Sequence, residues 1–213
     1  SLVADIHPDI RVIANGISIE ELDHNFAIEM DLAGEPRLIT VGNVTERKGQ
    51  LNVIKQLPQL IQSYPKLHYQ CVGLPTQKDA FLKVARTLGV QDYVSFHGRV
   101  SDEQLLSFLK SSTMFVMLSS PTPTGDVEGF GIALLEANYF GVPCIGSKGC
   151  GIEDAIKDYE SGRLIGYDDT DELLSAMEAI LSDYEAYQSR ARAWAMQHSW
   201  QIIVKHYIEV IEV

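Results

Sequence analysis

Two glutamates, Glu128 and Glu136, stand eight positions apart in the stretch GDVEGFGIALLEANYFGVPCIGS, which runs from Gly125 to Ser147. Between them Gly129 and Gly131 flank Phe130, and an aliphatic run follows. A carboxylate accepts hydrogen bonds, and its two oxygens match a vicinal diol, so each glutamate suits a sugar and neither suits a phosphate. The glycines open what reads as a helix from Gly131 to Phe140, with Gly141 just past its end. A helix start carries free N–H groups and a partial positive charge, and glycine lets a ligand approach the main chain. The amides of Phe130, Gly131 and Ile132 are therefore expected to carry an anion. Glu128, ahead of the helix, would meet one sugar. Glu136 sits in the apolar run IALLEANYF, where a carboxylate without a partner costs several kcal/mol or shifts its pKa. A role further along the same ligand explains it better than decoration of a helix surface. A diphosphate with a sugar at each end is a nucleotide sugar.

A second constellation has complementary charge. In VGNVTERKGQLNVI, Val41 to Ile54, a strand is expected to end at Gly42 and a helix to begin near Gly49. That places Arg47 and Lys48 beside another helix N-terminus, and two cations there make a place for phosphate oxygens. A solvated basic turn is the plain alternative. That alternative is common, and the strand–turn–helix setting raises the phosphate reading above that of an arbitrary Arg-Lys pair.

These residues need a scaffold that brings separate loops together. Short apolar runs at Arg11–Ile13, Arg37–Gly42, Leu67–Gly73, Tyr93–Gly98, Thr113–Leu118, Val142–Gly146 and Arg163–Gly166 read as strands buried on both faces. Amphipathic stretches lie between them. Gln50–Tyr64 places Leu51, Ile54, Leu57, Leu60 and Ile61 on one stripe, with Pro58 expected to kink or interrupt it. Ser101 with Gln104 makes a capping box, and Asp169 or Thr170 caps a later helix. Tyr184 to Val213 is expected to be helical throughout, with Trp194, Trp200, Ile203 and Tyr207 as packing residues and Ser199 capping the last helix. The alternation predicts an α/β fold, a Rossmann-like parallel sheet flanked by helices, spanning 1–213 as one domain. Ligands of such sheets bind beyond the carboxyl ends of the strands, at the switch point of strand order.

Composition narrows the function classes. The chain has 213 residues, 46% hydrophobic and 22% charged, with net charge -12 and no cluster of Lys and Arg. Nucleic-acid binding is disfavoured. Cys71, Cys144 and Cys150 form no CxxC pair, Cys71 and Cys144 lie in apolar runs, and the chain suits a reducing cytosol. The six histidines lack metal-ligand spacing, so no metal is expected. No apolar run is long enough for a membrane span. The opening SLVADIHPDIRVIANG does not read as a natural start, and a truncated chain is expected. A dehydrogenase would need GxGxxG after its first strand, and a serine hydrolase GxSxG; neither occurs.

The pairing of VGNVTERKGQLNVIKQL with EGFGIALLEANYFGVPCIGSKGCGIEDAI resembles the C-terminal, donor-binding domain of the retaining GT-B glycosyltransferases, glycosyltransferase family 4. VIANGISIEEL, YVSFHGRVSDEQLLSFLKSS and HSWQIIVKHYIEVI extend the resemblance over nearly the whole chain. It implies that Glu128 contacts hydroxyls of the donor sugar near the anomeric carbon and Glu136 holds the ribose. Phe130, Gly131 and Ile132, with Gly129, underlie the diphosphate. Lys48 balances its charge as it leaves, making Glu128 and Lys48 the catalytic pair. Gly98, Arg99 and Val100 edge the base, and Gly42, Asn43 and Arg47 complete the donor site. The implied reaction is metal-free transfer of a hexose from a nucleotide diphosphate sugar to an acceptor hydroxyl with retention, with no cofactor beyond the donor. The family's preceding domain, which binds a sugar, lipid-linked or other acceptor and supplies a catalytic histidine, is missing. The chain alone would then bind donor without transferring it. The implied location is cytoplasmic, with membrane association of the intact enzyme left open. Asn43 departs from the family's arginine five positions before the lysine, with Arg47 as the available substitute. That departure keeps a non-catalytic nucleotide-sugar binding or sensor domain as the alternative. His97, near the base edge, is expected to be structural.

Overall fold

A computed structural model of the chain describes residues 12–23 and 30–211. Six parallel strands form one sheet: β1 (Arg37–Val41), β2 (His68–Val72), β3 (Val94–Gly98), β4 (Met114–Met117), β5 (Cys144–Ser147) and β6 (Gly162–Ile165). Their spatial order is β3-β2-β1-β4-β5-β6. The order reverses between β1 and β4, so their carboxyl ends are the switch point, where sheets of this kind hold a ligand crevice. The helices are α1 (Ile19–Leu22), α2 (Gln50–Ser63), α3 (Lys78–Thr87), α4 (Asp102–Lys110), α5 (Ile132–Tyr139), α6 (Thr170–Ser182), α7 (Tyr184–Gln197) and α8 (Trp200–Ile211).

The strands send alternate side chains to opposite faces, and both faces are covered. Leu38, Met114 and Val116 join one core with α2, α3 and α6. Ile39, Phe115 and Met117 join the other with α4 and α5. Every residue of β4 is buried, which is why that strand reads as an unbroken apolar run. Polar groups inside include Thr40 Oγ1, 2.6 Å from Tyr69 Oη, and Asn138, whose Nδ2 donates to Val142 O and Ser161 O while its Oδ1 has no partner among the described residues. Cys71 and Cys144 are buried free thiols, as their apolar settings imply.

Six of the seven expected strands form. Val12 and Ile13 are in no strand, and Arg11 lies outside the described residues. The Ser101–Gln104 capping box, the Asp169 cap and the Gly141 turn after α5, with φ 74°, are present. Helix α2 runs unbroken through Pro58. Its packing of Val53, Ile54, Leu57 and Leu60 onto the sheet outweighs the lost backbone hydrogen bond. The C-terminal tail is not one helix. It breaks at His198–Ser199, where Ser199 pairs with Ile17 in a short parallel bridge. Ile203 of α8 is buried, whereas Trp200 and Tyr207, expected to pack, are 44% and 40% exposed. Among the described residues no helix is long and apolar enough to cross a membrane.

Candidate donor-binding site

The β1 and β4 loops are held against each other at the switch point. After β1 the chain makes a single 3-10 turn, Glu46–Lys48, and enters α2 through Gly49 at φ 77°. A side chain on Gly49 would collide with the Leu118 carbonyl at the end of β4. The left-handed backbone and this close approach both require glycine. Gln50, fully buried, ties the loop to itself: its Nε2 donates to Asn43 O at 3.1 Å and Gly42 O at 3.3 Å, and its Oε1 accepts from Thr45 N at 3.3 Å. Ser119 Oγ donates to Arg47 O, which fixes the turn to the opposite loop.

Arg47 and Lys48 thereby reach across the crevice. Lys48 Nζ lies 2.9 Å from Glu128 Oε2, and Arg47 Nη1 donates to the same oxygen. Arg47 Nε also lies 3.2 Å from Asp126 Oδ2. Glu128 is buried, Arg47 and Lys48 are partly buried, and Asp126 is exposed. The structure therefore joins both sequence constellations, but in an arrangement the spacing did not foretell. The cations expected to face phosphate are paired with the carboxylate expected to face sugar. Two cations and two carboxylates make a formally neutral cluster.

The turn ahead of α5 is braced from behind. Gly151 N donates to Glu128 O at 2.9 Å, and a side chain on Gly151 would strike the Gly129 carbonyl. Gly131 caps α5 at φ 85°. Among the described residues, the amides of Phe130, Gly131 and Ile132 donate to no other group of the chain. Nothing lies within 4 Å of where a Gly129 side chain would point. Phe130 is buried, so its ring anchors the turn in the core.

Glu136 lies one further turn along α5. Among the described residues it forms no ion pair, and it is half-buried. Burial, and then the nearby Glu21 carboxylate, push its pKa up. It lines a cleft of about 490 Å³ with Glu21 and Leu22 of α1 and Asp102, Glu103, Leu105 and Leu106 of α4. Gly98, Arg99 and Val100 stand at the end of β3 and do not line that cleft. His97 Nε2 pairs with Gln70 Oε1 at 2.6 Å, and its ring stacks on Phe108 at 4.4 Å. Burial, and then His68, push its pKa down. Both contacts fit the structural role expected of it.

Gln50, Gly49, Gly151 and Asp126 were not singled out by sequence reasoning. The strand–Gly–turn pattern pointed to the loops that carry them, but their partners lie more than 70 positions away or depend on loop path.

The sequence profile of the family Glycosyl transferases group 1 matches residues 25–194. A GDP-mannose-dependent alpha-(1-6)-phosphatidylinositol monomannoside mannosyltransferase of Mycolicibacterium smegmatis is 29% identical over 174 residues, 80% of this chain and 45% of that protein. A glycogen synthase of Mycobacterium tuberculosis is 30% identical over 185 residues, 87% of this chain and 43% of that protein. The chain thus spans less than half the length of these relatives. Among solved structures, HepE of Anabaena in complex with UDP superposes with a TM-score of 0.74 at 21% identity, over 95% of this chain and 57% of that one. Sucrose-phosphate synthase of Thermosynechococcus elongatus gives 0.75 at 21% identity, over 95% and 52%. The structural matches establish a shared GT-B-type fold, and the profile match over most of the chain establishes that it belongs to the group 1 glycosyltransferase family.

Proposed function

We propose that this chain is the donor-binding half of a retaining hexosyltransferase of glycosyltransferase family 4. The observation that carries this reading is the row of unpaired amides at Phe130, Gly131 and Ile132. The row opens α5 at the switch point between β1 and β4, two residues after the Glu128 that Arg47 and Lys48 hold, with Glu136 one turn further on. A diphosphate on those amides satisfies donors that are otherwise unmet. Glu136 in its cleft takes the ribose diol, and Glu128 takes hydroxyls of the transferred sugar. Gly98, Arg99 and Val100 edge the base, and Gly42, Asn43 and Arg47 border the phosphates.

In the reaction, the bond between the anomeric carbon and the β-phosphate oxygen breaks, a bond to the acceptor oxygen forms on the same face, and the acceptor hydroxyl's proton passes to the departing phosphate oxygen. The departing nucleoside diphosphate gains negative charge. Lys48, Arg47 and the α5 amides are already oriented to hold it, which is where fixed dipoles lower a barrier most. No metal or further cofactor is required in this reading. The acceptor, a sugar, lipid-linked or other hydroxyl, is bound by a further domain that completes a cytoplasmic enzyme. This chain alone binds donor without transferring it.

Asn43, in place of the family's arginine, favours a second reading as a binding or sensor domain without transferase activity. Thermal melts with UDP, GDP, ADP and their sugars test the donor site. A ligand at a hundredfold over its Kd stabilises the fold by about 2.7 kcal/mol. A melt that no nucleotide shifts removes both readings. Nucleoside diphosphate release from donor and acceptor by the intact protein separates them.

A further inference from the structure

Asp126 has no part in the site as proposed, yet it takes hold of one of its two cations. Arg47 Nε lies 3.2 Å from Asp126 Oδ2, while Arg47 Nη1 and Lys48 Nζ share Glu128 Oε2. The two carboxylates differ in how firmly they are fixed. Glu128 is buried, and its backbone is tied by Gly151 N. The Asp126 side chain is 64% exposed and belongs to a tight turn. In that turn Asp126 O accepts from Thr122 N, Asp126 N donates to Thr122 Oγ1, and Gly125 N donates to Thr122 O. The turn holds Asp126 beside Arg47 without burying it. Asp126 is therefore the carboxylate that an incoming phosphate can displace at little desolvation cost.

We propose that Asp126 is an internal competitor of the donor diphosphate for Arg47, and that it biases the site toward nucleotide sugar over nucleoside diphosphate. The inference rests on the donor-site reading above. A nucleoside diphosphate carries one more negative charge than its sugar ester, so its affinity depends more on Arg47 and falls further when Asp126 holds that cation. The residue that neutralises Arg47 in the empty site then hastens release of the product. Asp126 acts through Arg47 and is a positioning residue.

The test compares wild type, Asp126→Asn, Arg47→Ala and the double variant by calorimetric titration. The probes are UDP with UDP-glucose, GDP with GDP-mannose, ADP with ADP-glucose, and the free nucleosides. Asp126→Asn is expected to tighten the bound nucleoside diphosphate roughly two- to fivefold, the size of an exposed ion pair. It should tighten the matching sugar ester less and leave nucleoside affinity unchanged. Raising the salt should shrink the gain. On the Arg47→Ala background the gain should disappear. Weaker diphosphate binding by Asp126→Asn would overturn the inference and make Asp126 a prop for Arg47. Unchanged affinity, or an equal gain on both backgrounds, would overturn it too. If wild type binds some nucleotide in any of these outcomes, the donor-site reading survives. Binding of no nucleotide by any variant sinks both.

Discussion

At the scale of single residues, the site is a set of charges whose free-state partners differ from their proposed working partners. Glu136 shows what that costs. Its pKa is raised by burial and by Glu21, so its folded state favours the protonated form. The favourable contribution is present below the ordinary carboxylate pKa and is lost as pH rises through the raised value. At neutral pH the ionised side chain opposes folding. Glu136→Gln is therefore expected to melt higher than wild type at pH 7, with the difference closing near pH 4. The same variant should lose affinity for nucleosides and nucleotides alike. A melt difference that persists at pH 4 would remove the electrostatic reading of Glu136, and retained nucleoside binding would remove the ribose assignment. Lys48→Ala should weaken nucleoside diphosphate about 10–100-fold, the worth of a hydrogen bond to a charged group, with nucleoside affinity spared; titration calorimetry reads both. Much of this was legible in the sequence. An acid in an apolar helix and two glycines before that helix have short-range causes. The pairing of Arg47 and Lys48 with Glu128 was not legible, because it joins positions about 80 apart and depends on how two loops cross.

At the scale of elements, backbone constraints decide which substitutions the site tolerates. Gly131 holds φ 85°, and a side chain there would sit 2.8 Å from Leu134 Cδ1. Gly131→Ala should cost about 1–2 kcal/mol from the left-handed backbone alone, read as a lower urea midpoint. It should also weaken diphosphate binding by disturbing the unpaired amides. Pro58 is the opposite case, an element that forms despite its sequence. Pro58→Ala restores an amide in the middle of α2 and should stabilise the fold by about 1 kcal/mol or more, after the unfolded chain's added freedom is set against it. An unchanged midpoint would mean that the helix already accommodates the ring without strain. The strands were readable because residues such as Met114–Met117 are apolar at every position. Val12–Ile13 look the same locally but find no sheet edge to join. Ser199 marked the start of the last helix in the sequence, and α8 begins right after it, but its pairing with Ile17 was hidden because that partner lies at the other end of the sequence.

At the scale of the whole molecule, the switch-point crevice gathers residues from three loops and two helix starts onto one rim. The fold class followed from strand–helix alternation, and the strand order places the crevice where that alternation predicts. What the alternation could not supply is which surfaces stay uncovered. Helix α8 buries Ile203 but leaves Trp200, Ile202, Val204, Tyr207, Ile208 and Ile211 exposed.

The bridge between Ile17 and Ser199 carries a mechanical corollary. Ile17 N donates to His198 O at 2.8 Å, Trp200 N donates to Ile17 O at 3.1 Å, and the Trp200 ring crowds Gly16. Two threads nearly the length of the polypeptide apart are thus stitched at one corner. A tug on either thread reaches the other before it reaches the sheet. The stitch should unzip as a unit, so the Ile17 and Trp200 amides should take up deuterium at matching rates, faster than those of β4.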